Sequence, residues 1–252
     1  MITKSELKYY DSLLQKKFRN SENKFLVEGK KIVHEGLKSS YKSEIIFITQ
    51  KFLEKEEKYL RELKSFGTRI ERLKSVDFKK LSDTRSPEGI AAVFLIEKKK
   101  LKFSFLNDTI LIYLEDISDP GNLGTIIRNC DWFGIQNIFL SNKSAEIFNP
   151  KVIRASMGSI FHLNMFEDVS LQEISVLKNS GYKFICGDVK GNSINEYKKK
   201  ERILLFLANE SKGPSEELLS IIDEKITIPG KGKAESLNVA SASAVLLSEL
   251  TK

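Results

Sequence analysis

Apolar residues recur along this chain in two rhythms, near 3.6 and in short unbroken runs, and together they predict alternating helices and strands. Leu7, Tyr10, Leu14 and Phe18 fall near helical spacing and predict one helix over 3–20. A short apolar strand follows over 24–27, then a helix through Ile32, Val33 and Leu37, and a strand over 45–48. The pattern continues as a charged helix over 51–65, a strand at 68–70, a short helix over 76–81, a polar turn at 82–89 and a strand over 90–96. After a lysine-rich interval the alternation resumes. Strands are expected at 110–114, 136–140, 162–166, 183–186, 203–207 and 225–228. Between them, helices are expected within 151–161 and over 171–179, 216–222 and 239–250. Alternation of this kind predicts a parallel α/β sheet.

One stretch organises the rest: ILIYLEDISDPGNLGTIIRNCDWFGIQNIFLS, from Ile110 to Ser141. Its apolar opening reads as a buried strand, and Asp119-Pro120-Gly121 then breaks the chain. Leu123, Ile126, Ile127 and Cys130 recur at i, i+3, i+4 and i+7, an apolar helix face, with Asn122 placed as N-cap and Gly134 as the residue closing the helix. Asn122, Thr125 and Arg128 form a polar stripe away from that face, at the carboxyl end of a strand, where open α/β sheets bind ligands. PGNLG is not GxGxxG, so a dinucleotide fingerprint is absent.

Composition narrows the class. The 252 residues are 41% hydrophobic and 30% charged, as in globular proteins. No apolar run approaches the roughly 18 residues of a membrane span, and MITKSELKYY lacks the apolar core of a secretory signal. Cys130 and Cys186 sit in apolar surroundings without metal-ligand spacing, so reduced thiols, a cytoplasmic location and no metal are expected. The net charge of +7 is unevenly spread: residues 1–107 carry 25 Lys and Arg against 15 Asp and Glu, and the remainder 16 against 19. A polyanion should therefore meet the first part. Lys98-Lys99-Lys100 and Lys102 mark a solvated linker, which divides the chain into 1–97, a linker at 98–107, and 108–252.

Two further loops repeat the logic of the first. Ala208-Asn209-Glu210-Ser211-Lys212-Gly213-Pro214 follows one strand and precedes a helix. Pro229-Gly230-Lys231-Gly232-Lys233-Ala234-Glu235-Ser236-Leu237-Asn238 follows the next strand, and Asn238 opens the last helix, whose ASASA run permits close approach. His34 and His162 lie outside all three loops.

Taken together, these loops resemble those of the SpoU (TrmH-like) family of RNA ribose 2′-O-methyltransferases. DPGNLGTIIRNCDWFG is similar to the family's first motif, LFLANESKGPS to its second and IPGKGKAESLNVASASAVLLSE to its third. KFLVEGKKIVHEGL and TRSPEGIAAV look like the small amino-terminal substrate-binding domain of many members. Ala208 and Ser211 stand where the second motif usually has glycine.

The resemblance implies a SPOUT-type parallel α/β domain with a carboxyl-terminal trefoil knot. A small RNA-binding α/β domain resembling a ribosomal-protein fold would precede it. It implies S-adenosylmethionine as cofactor, a homodimer, and RNA as substrate, with ribosomal RNA favoured over transfer RNA. By position, the cofactor residues would be Leu207, Ala208, Asn209, Glu210, Gly213, Ile228, Pro229, Leu237 and Asn238. Asn122, Arg128, Glu210, Ser236 and Asn238 would be the catalytic neighbourhood. Lys4, Lys8, Lys16, Lys17, Arg19 and Arg85 would grip RNA. Arginine side chains keep their proton, so Arg128 is expected to act electrostatically, holding a phosphate and favouring a developing alkoxide. The alternative is a catalytically silent RNA-binding or ribosome-assembly protein on the same scaffold.

Overall fold

A computed structural model describes residues 2–97, 101, 103, 108–198 and 202–252. The chain divides into two compact units, Met1–Lys98 with Phe148–Phe161, and Lys99–Ile147 with His162–Lys252.

The first unit holds α1 (Lys4–Ser12), α2 (Lys16–Glu22), β1 (Lys24–Glu28), α3 (Lys30–Lys38), β2 (Ser43–Thr49), α4 (Gln50–Lys55), α5 (Glu57–Ser65), β3 (Arg69–Leu73), α6 (Ser75–Phe78) and β4 (Ile90–Leu95). The sheet order is β1-β4-β2-β3, with β4 antiparallel to both neighbours and β2 parallel to β3. The single helix expected over 3–20 is in fact two. Thr3 opens α1 with a capping box to Glu6, and the chain leaves the helix at the fully buried Leu13. A helix end leaves carbonyls unsatisfied. Here Arg19, only 2% exposed, donates from Nη1 to the Leu13 carbonyl at 2.9 Å. The helix expected over 51–65 is likewise two, parted at Glu56, whose φ of −124° and ψ of 40° are not helical. The segment Phe148–Phe161 belongs to this unit through aromatic packing: Phe25 lies against Phe148 at 4.3 Å between centroids and against Phe161 at 6.1 Å. That segment carries one short α-helix, Pro150–Ser156.

The second unit holds β5 (Ile110–Glu115), α7 (Pro120–Trp132) and β6 (Asn137–Leu140). After α8 (Pro150–Ser156, in the first unit) it continues with β7 (Asn164–Phe166), α9 (Leu171–Ser175), β8 (Lys183–Ser193), β9 (Ile203–Ala208), α10 (Glu216–Ile221), β10 (Glu224–Thr227) and α11 (Val239–Leu250). All five pairings in the order β10-β8-β9-β5-β6-β7 are parallel. The central strands β5 and β9 are buried along their whole length, as strands covered on both faces must be. His162 lies before β7, outside the strand expected at 162–166. The β8–β10 register jumps from Lys225 opposite Cys186 to Ile226 opposite Asn192. Gly191 sits in that bulge because a Cβ there would lie 2.7 Å from the Lys225 carbonyl carbon. Most of the proposed 98–107 linker lies outside the described residues. Leu101 and Phe103 are described, and both pack on the core of this unit, as their apolar side chains favour.

Candidate functional site

Because the strands run one way, the loops after β5, β9 and β10 leave from the same edge of the sheet. The first loop differs from expectation in one respect. Asp119, not Asn122, is the N-cap: its Oδ1 accepts from the Asn122 N–H at 2.8 Å, and Pro120 takes the first helical position. Asn122 is thereby moved to the third helical position, and its side chain is released from capping.

That side chain joins the three loops. Asn238 caps α11, its Oδ1 accepting from the N–H groups of Ala240 and Ser241 at 3.0 and 3.3 Å. The cap leaves Asn238 Nδ2 to donate to Asn122 Oδ1 at 3.0 Å. Asn122 Nδ2 then donates to Glu210 Oε1 at 2.7 Å. Each amide is oriented by the one before it, so the helix terminus fixes a directed chain ending on a carboxylate. Asn129, two turns further along α7, donates to the Ala240 carbonyl and to Ser243 Oγ, both at 2.9 Å. The small residues of α11 allow that approach.

The second loop is wound about its own asparagine. Asn209 Oδ1 accepts from the N–H groups of Ser211 and Lys212, its carbonyl from the N–H of Gly213, and its Nδ2 donates to the Asp116 carbonyl at 3.1 Å. Gly213 has φ of +68°, the left-handed region that favours glycine. Leu207 and Ala208 are buried at the end of β9, Ile228 is half-buried, and Pro229, Ser236 and Leu237 are exposed. Arg128 is exposed on α7, about 9 Å along the axis from Asn122. It has no partner among the described residues.

Of the residues expected to grip RNA, Lys4, Lys8, Lys16, Lys17 and Arg85 are exposed. Arg19 is not available for that role, because its guanidinium is buried on the Leu13 carbonyl. His34 lies 3.3 Å from the Tyr59 hydroxyl, and His162 Nδ1 lies 2.8 Å from Asp131. Among the described residues no cluster of His, Cys, Asp and Glu could hold a metal ion. Burial pushes the Cys186 thiol up to about 12 and raises Cys130 as well, so neither is a ready nucleophile. Sequence reasoning missed Asn129 and Glu115. Glu115 had a visible signal, being an acid at the end of an apolar run that is wholly buried.

A parallel sheet with three polar loops meeting at the carboxyl ends of its strands defines a ligand-binding α/β protein. Comparison with known proteins narrows this. The profile of the SpoU rRNA Methylase family matches residues 109–248, and that of the MRM3-like substrate binding domain matches residues 4–92. The chain belongs to the SpoU rRNA methylase family. It is 32% identical over 246 residues to the 23S rRNA (guanosine(2553)-2'-O)-methyltransferase RlmP of Bacillus subtilis, covering 97% of this chain and 95% of that protein. Among solved structures, a TrmH-family protein from Porphyromonas gingivalis is 31% identical, with a TM-score of 0.86 over 99% of this chain and 98% of its own. An AdoMet-bound rRNA methyltransferase from Sinorhizobium meliloti shares the fold at 24% identity, with a TM-score of 0.86 over 99% and 95%.

Proposed function

We propose that this chain is an S-adenosylmethionine-dependent methyltransferase acting on a ribose 2′-hydroxyl of RNA, ribosomal RNA before transfer RNA. The observation that carries the reading is the hydrogen-bonded chain Asn238–Asn122–Glu210, which ties together all three loops. The loop residues suit the cofactor. Leu207, Ala208 and Ile228 are apolar, Asn209 and Asn238 supply amides, and Glu210 is a carboxylate fit for a sulfonium cation. An ideal Cβ at Gly213, Gly230 or Gly232 would meet nothing within 4 Å, so space lies beside both loops. Leu207, Ala208, Asn209, Glu210, Gly213, Ile228, Pro229, Leu237 and Asn238 would hold it. When bound it supplies an electrophilic methyl group.

The chain's own part is positioning and charge. Arg128, without a partner among the described residues, holds an RNA phosphate and favours the alkoxide character of the ribose oxygen. Asn122, fixed from one side by Asn238, orients Glu210. Among the described residues Glu210 Oε2 accepts no hydrogen bond, which leaves it for the incoming hydroxyl. Ser236 is exposed within the third loop, where it would face the substrate. Residues 1–97 grip RNA through Lys4, Lys8, Lys16, Lys17 and Arg85, on a fold like a ribosomal protein's, and residues 108–252 carry out transfer. The same reading includes a carboxyl-terminal trefoil knot, action in the cytoplasm and assembly as a homodimer. Trp132, 84% exposed at the end of α7, and Val245, 39% exposed on α11, supply apolar surface for a second copy. No described helix is long and apolar enough to cross a membrane.

The test is direct. Purified protein should bind S-adenosylmethionine in a calorimetric titration and transfer a labelled methyl group to ribosomal RNA from a strain lacking the gene. The label should survive in an alkali-resistant dinucleotide, as a 2′-O-methyl group requires. Cofactor binding without transfer to any RNA would favour a silent RNA-binding protein.

A further inference from the structure

Glu115 closes β5 in parallel register with Ala208 of β9, and it is 7% exposed. Its carboxylate reaches forward to Ser215, at the far end of the second loop. Oε1 accepts from Ser215 Oγ at 2.6 Å and Oε2 from the Ser215 N–H at 3.0 Å. Ser215 Oγ in turn accepts from the Leu218 N–H at 3.1 Å, capping α10. The next residue, Asp116, takes the near end of the same loop, its carbonyl accepting from Asn209 Nδ2. Asp116 holds φ of +55°, uncommon for a residue with a side chain, and is fixed there by Ser141 of the adjoining strand end. Ser141 Oγ donates to Asp116 Oδ1 and accepts from the Asp116 N–H, both at 2.8 Å. Two consecutive residues at the end of β5 thus tie down both ends of the 209–215 loop.

A buried carboxylate is a costly way to cap one serine. No cation pairs with Glu115 among the described residues, and burying a charge on two hydrogen bonds is unfavourable compared with an apolar or neutral side chain. The arrangement therefore fits a demand on the loop more than a demand of the fold. We infer that Glu115 is a positioning residue for the cofactor loop: by clasping Ser215 it holds the loop in its binding-competent conformation and so sets the affinity for S-adenosylmethionine. This rests on the methyltransferase reading above. The physical link is a population argument. Apparent affinity falls by the fraction of molecules whose site is competent, so a released loop weakens binding although Glu115 touches no ligand.

The variants separate clasp from charge. Glu115→Leu keeps the bulk and removes both hydrogen bonds. Glu115→Gln keeps the shape: its carbonyl oxygen can accept from the Ser215 N–H, and its amide can donate to Ser215 Oγ, which has a second acceptor position. The expected result, by calorimetry at 20 °C on protein shown folded by circular dichroism, is a Kd raised about tenfold in Glu115→Leu, as loss of a hydrogen bond to a charged group implies. Glu115→Gln should stay within about threefold, the net worth of an ordinary hydrogen bond. In turnover, KM for the cofactor should rise in Glu115→Leu while KM for RNA holds, a split that general loosening would not give. Should Glu115→Leu fail to fold, Ser215→Ala removes the hydroxyl alone and should raise Kd in the same direction by a smaller factor. An unchanged Kd in a folded variant, or an equal loss in Glu115→Gln, would overturn the inference. Failure of the wild-type protein to bind S-adenosylmethionine would instead overturn the methyltransferase reading.

Discussion

In the sheet of the first unit, strand directions alternate about β4, whereas all six strands of the second unit's sheet run the same way. In the first unit the ends of β1 and β2 share an edge with the start of β4, but the polar groups there are spent on one another. The loop over 82–89 closes on the unit's own backbone and side chains. Glu28 accepts from Ser82 Oγ at 2.7 Å and Thr84 Oγ1 at 2.9 Å, and Glu88 accepts from the Lys30 N–H at 2.8 Å. In the parallel sheet every strand ends at the same edge, and polar groups far apart in sequence meet there: Asn122, Glu210 and Asn238 are drawn from three loops. The first unit offers surface charge and the second offers converging polar groups. Binding of a polyanion and chemistry on it should accordingly separate by mutation.

The largest effect should come from the converging side. Arg128→Ala should leave stability and S-adenosylmethionine affinity nearly unchanged, because Arg128 is exposed and has no partner among the described residues. Single-turnover methylation at saturating RNA and cofactor should fall by at least about a hundredfold, the scale for losing one preorganised transition-state donor. Arg128→Lys should recover little, since an ammonium cannot reproduce a two-pronged grip on phosphate. A near-normal rate in Arg128→Ala would move the charge stabilisation to another residue.

The surface-charge side gives a smaller effect and an internal control. Replacing Lys4, Lys8, Lys16 and Lys17 with Gln should weaken RNA binding. The logarithmic slope of affinity against salt should flatten by roughly 0.7 to 0.9 for each phosphate no longer neutralised. Cofactor affinity should hold. Arg19→Ala, in the same stretch of sequence, should do the opposite. It removes a buried charged donor from the Leu13 carbonyl and should cost about 2 kcal/mol of stability. RNA affinity measured well below the melting point should then be unchanged. Loss of RNA affinity in Arg19→Ala without loss of stability would contradict the burial of its guanidinium.

The contrast between Arg19 and the lysines also shows how far sequence reading reaches. Apolar runs ended by Pro and Gly are local signals, so the strand-loop-helix units of the parallel sheet were legible, as was Asn238 at the head of α11. Whether a basic residue on an amphipathic stretch faces water depends on where the helix stops, and a break at 13–15 leaves no composition cue. Asp119-Pro120 did carry one, because an acid before proline is a cap followed by a first helical residue. By that cue Asp119 outranks Asn122 as the cap. The Glu115–Ser215 pairing spans 100 residues, and no local pattern could announce it. Nor could any local pattern place Phe148–Phe161 in the first unit, since a distant aromatic cluster built on Phe25 decides it.

The smallest effect expected is near zero, and it gives the comparison a probe. Both cysteines belong to the parallel unit, and both are buried. Only the thiolate reacts, and burial pushes the Cys186 thiol up to about 12 from an ordinary value of 9.0. At pH 8 a maleimide should therefore label native protein far more slowly than unfolded protein, and labelling should report opening of the parallel unit alone. The sign with pH follows. The native state keeps a proton that the unfolded state gives up, so this group's contribution to stability is present below about 9 and is lost as pH rises toward 12. Labelling should consequently accelerate over that range by more than thiolate formation in a free cysteine explains. Saturating S-adenosylmethionine should slow labelling, because a ligand of the native parallel unit draws population away from its open form. RNA fragments held only by the first unit's lysines should leave the rate alone. Equal protection by both ligands would show that the two units open together, and the separation drawn from their sheets would fail.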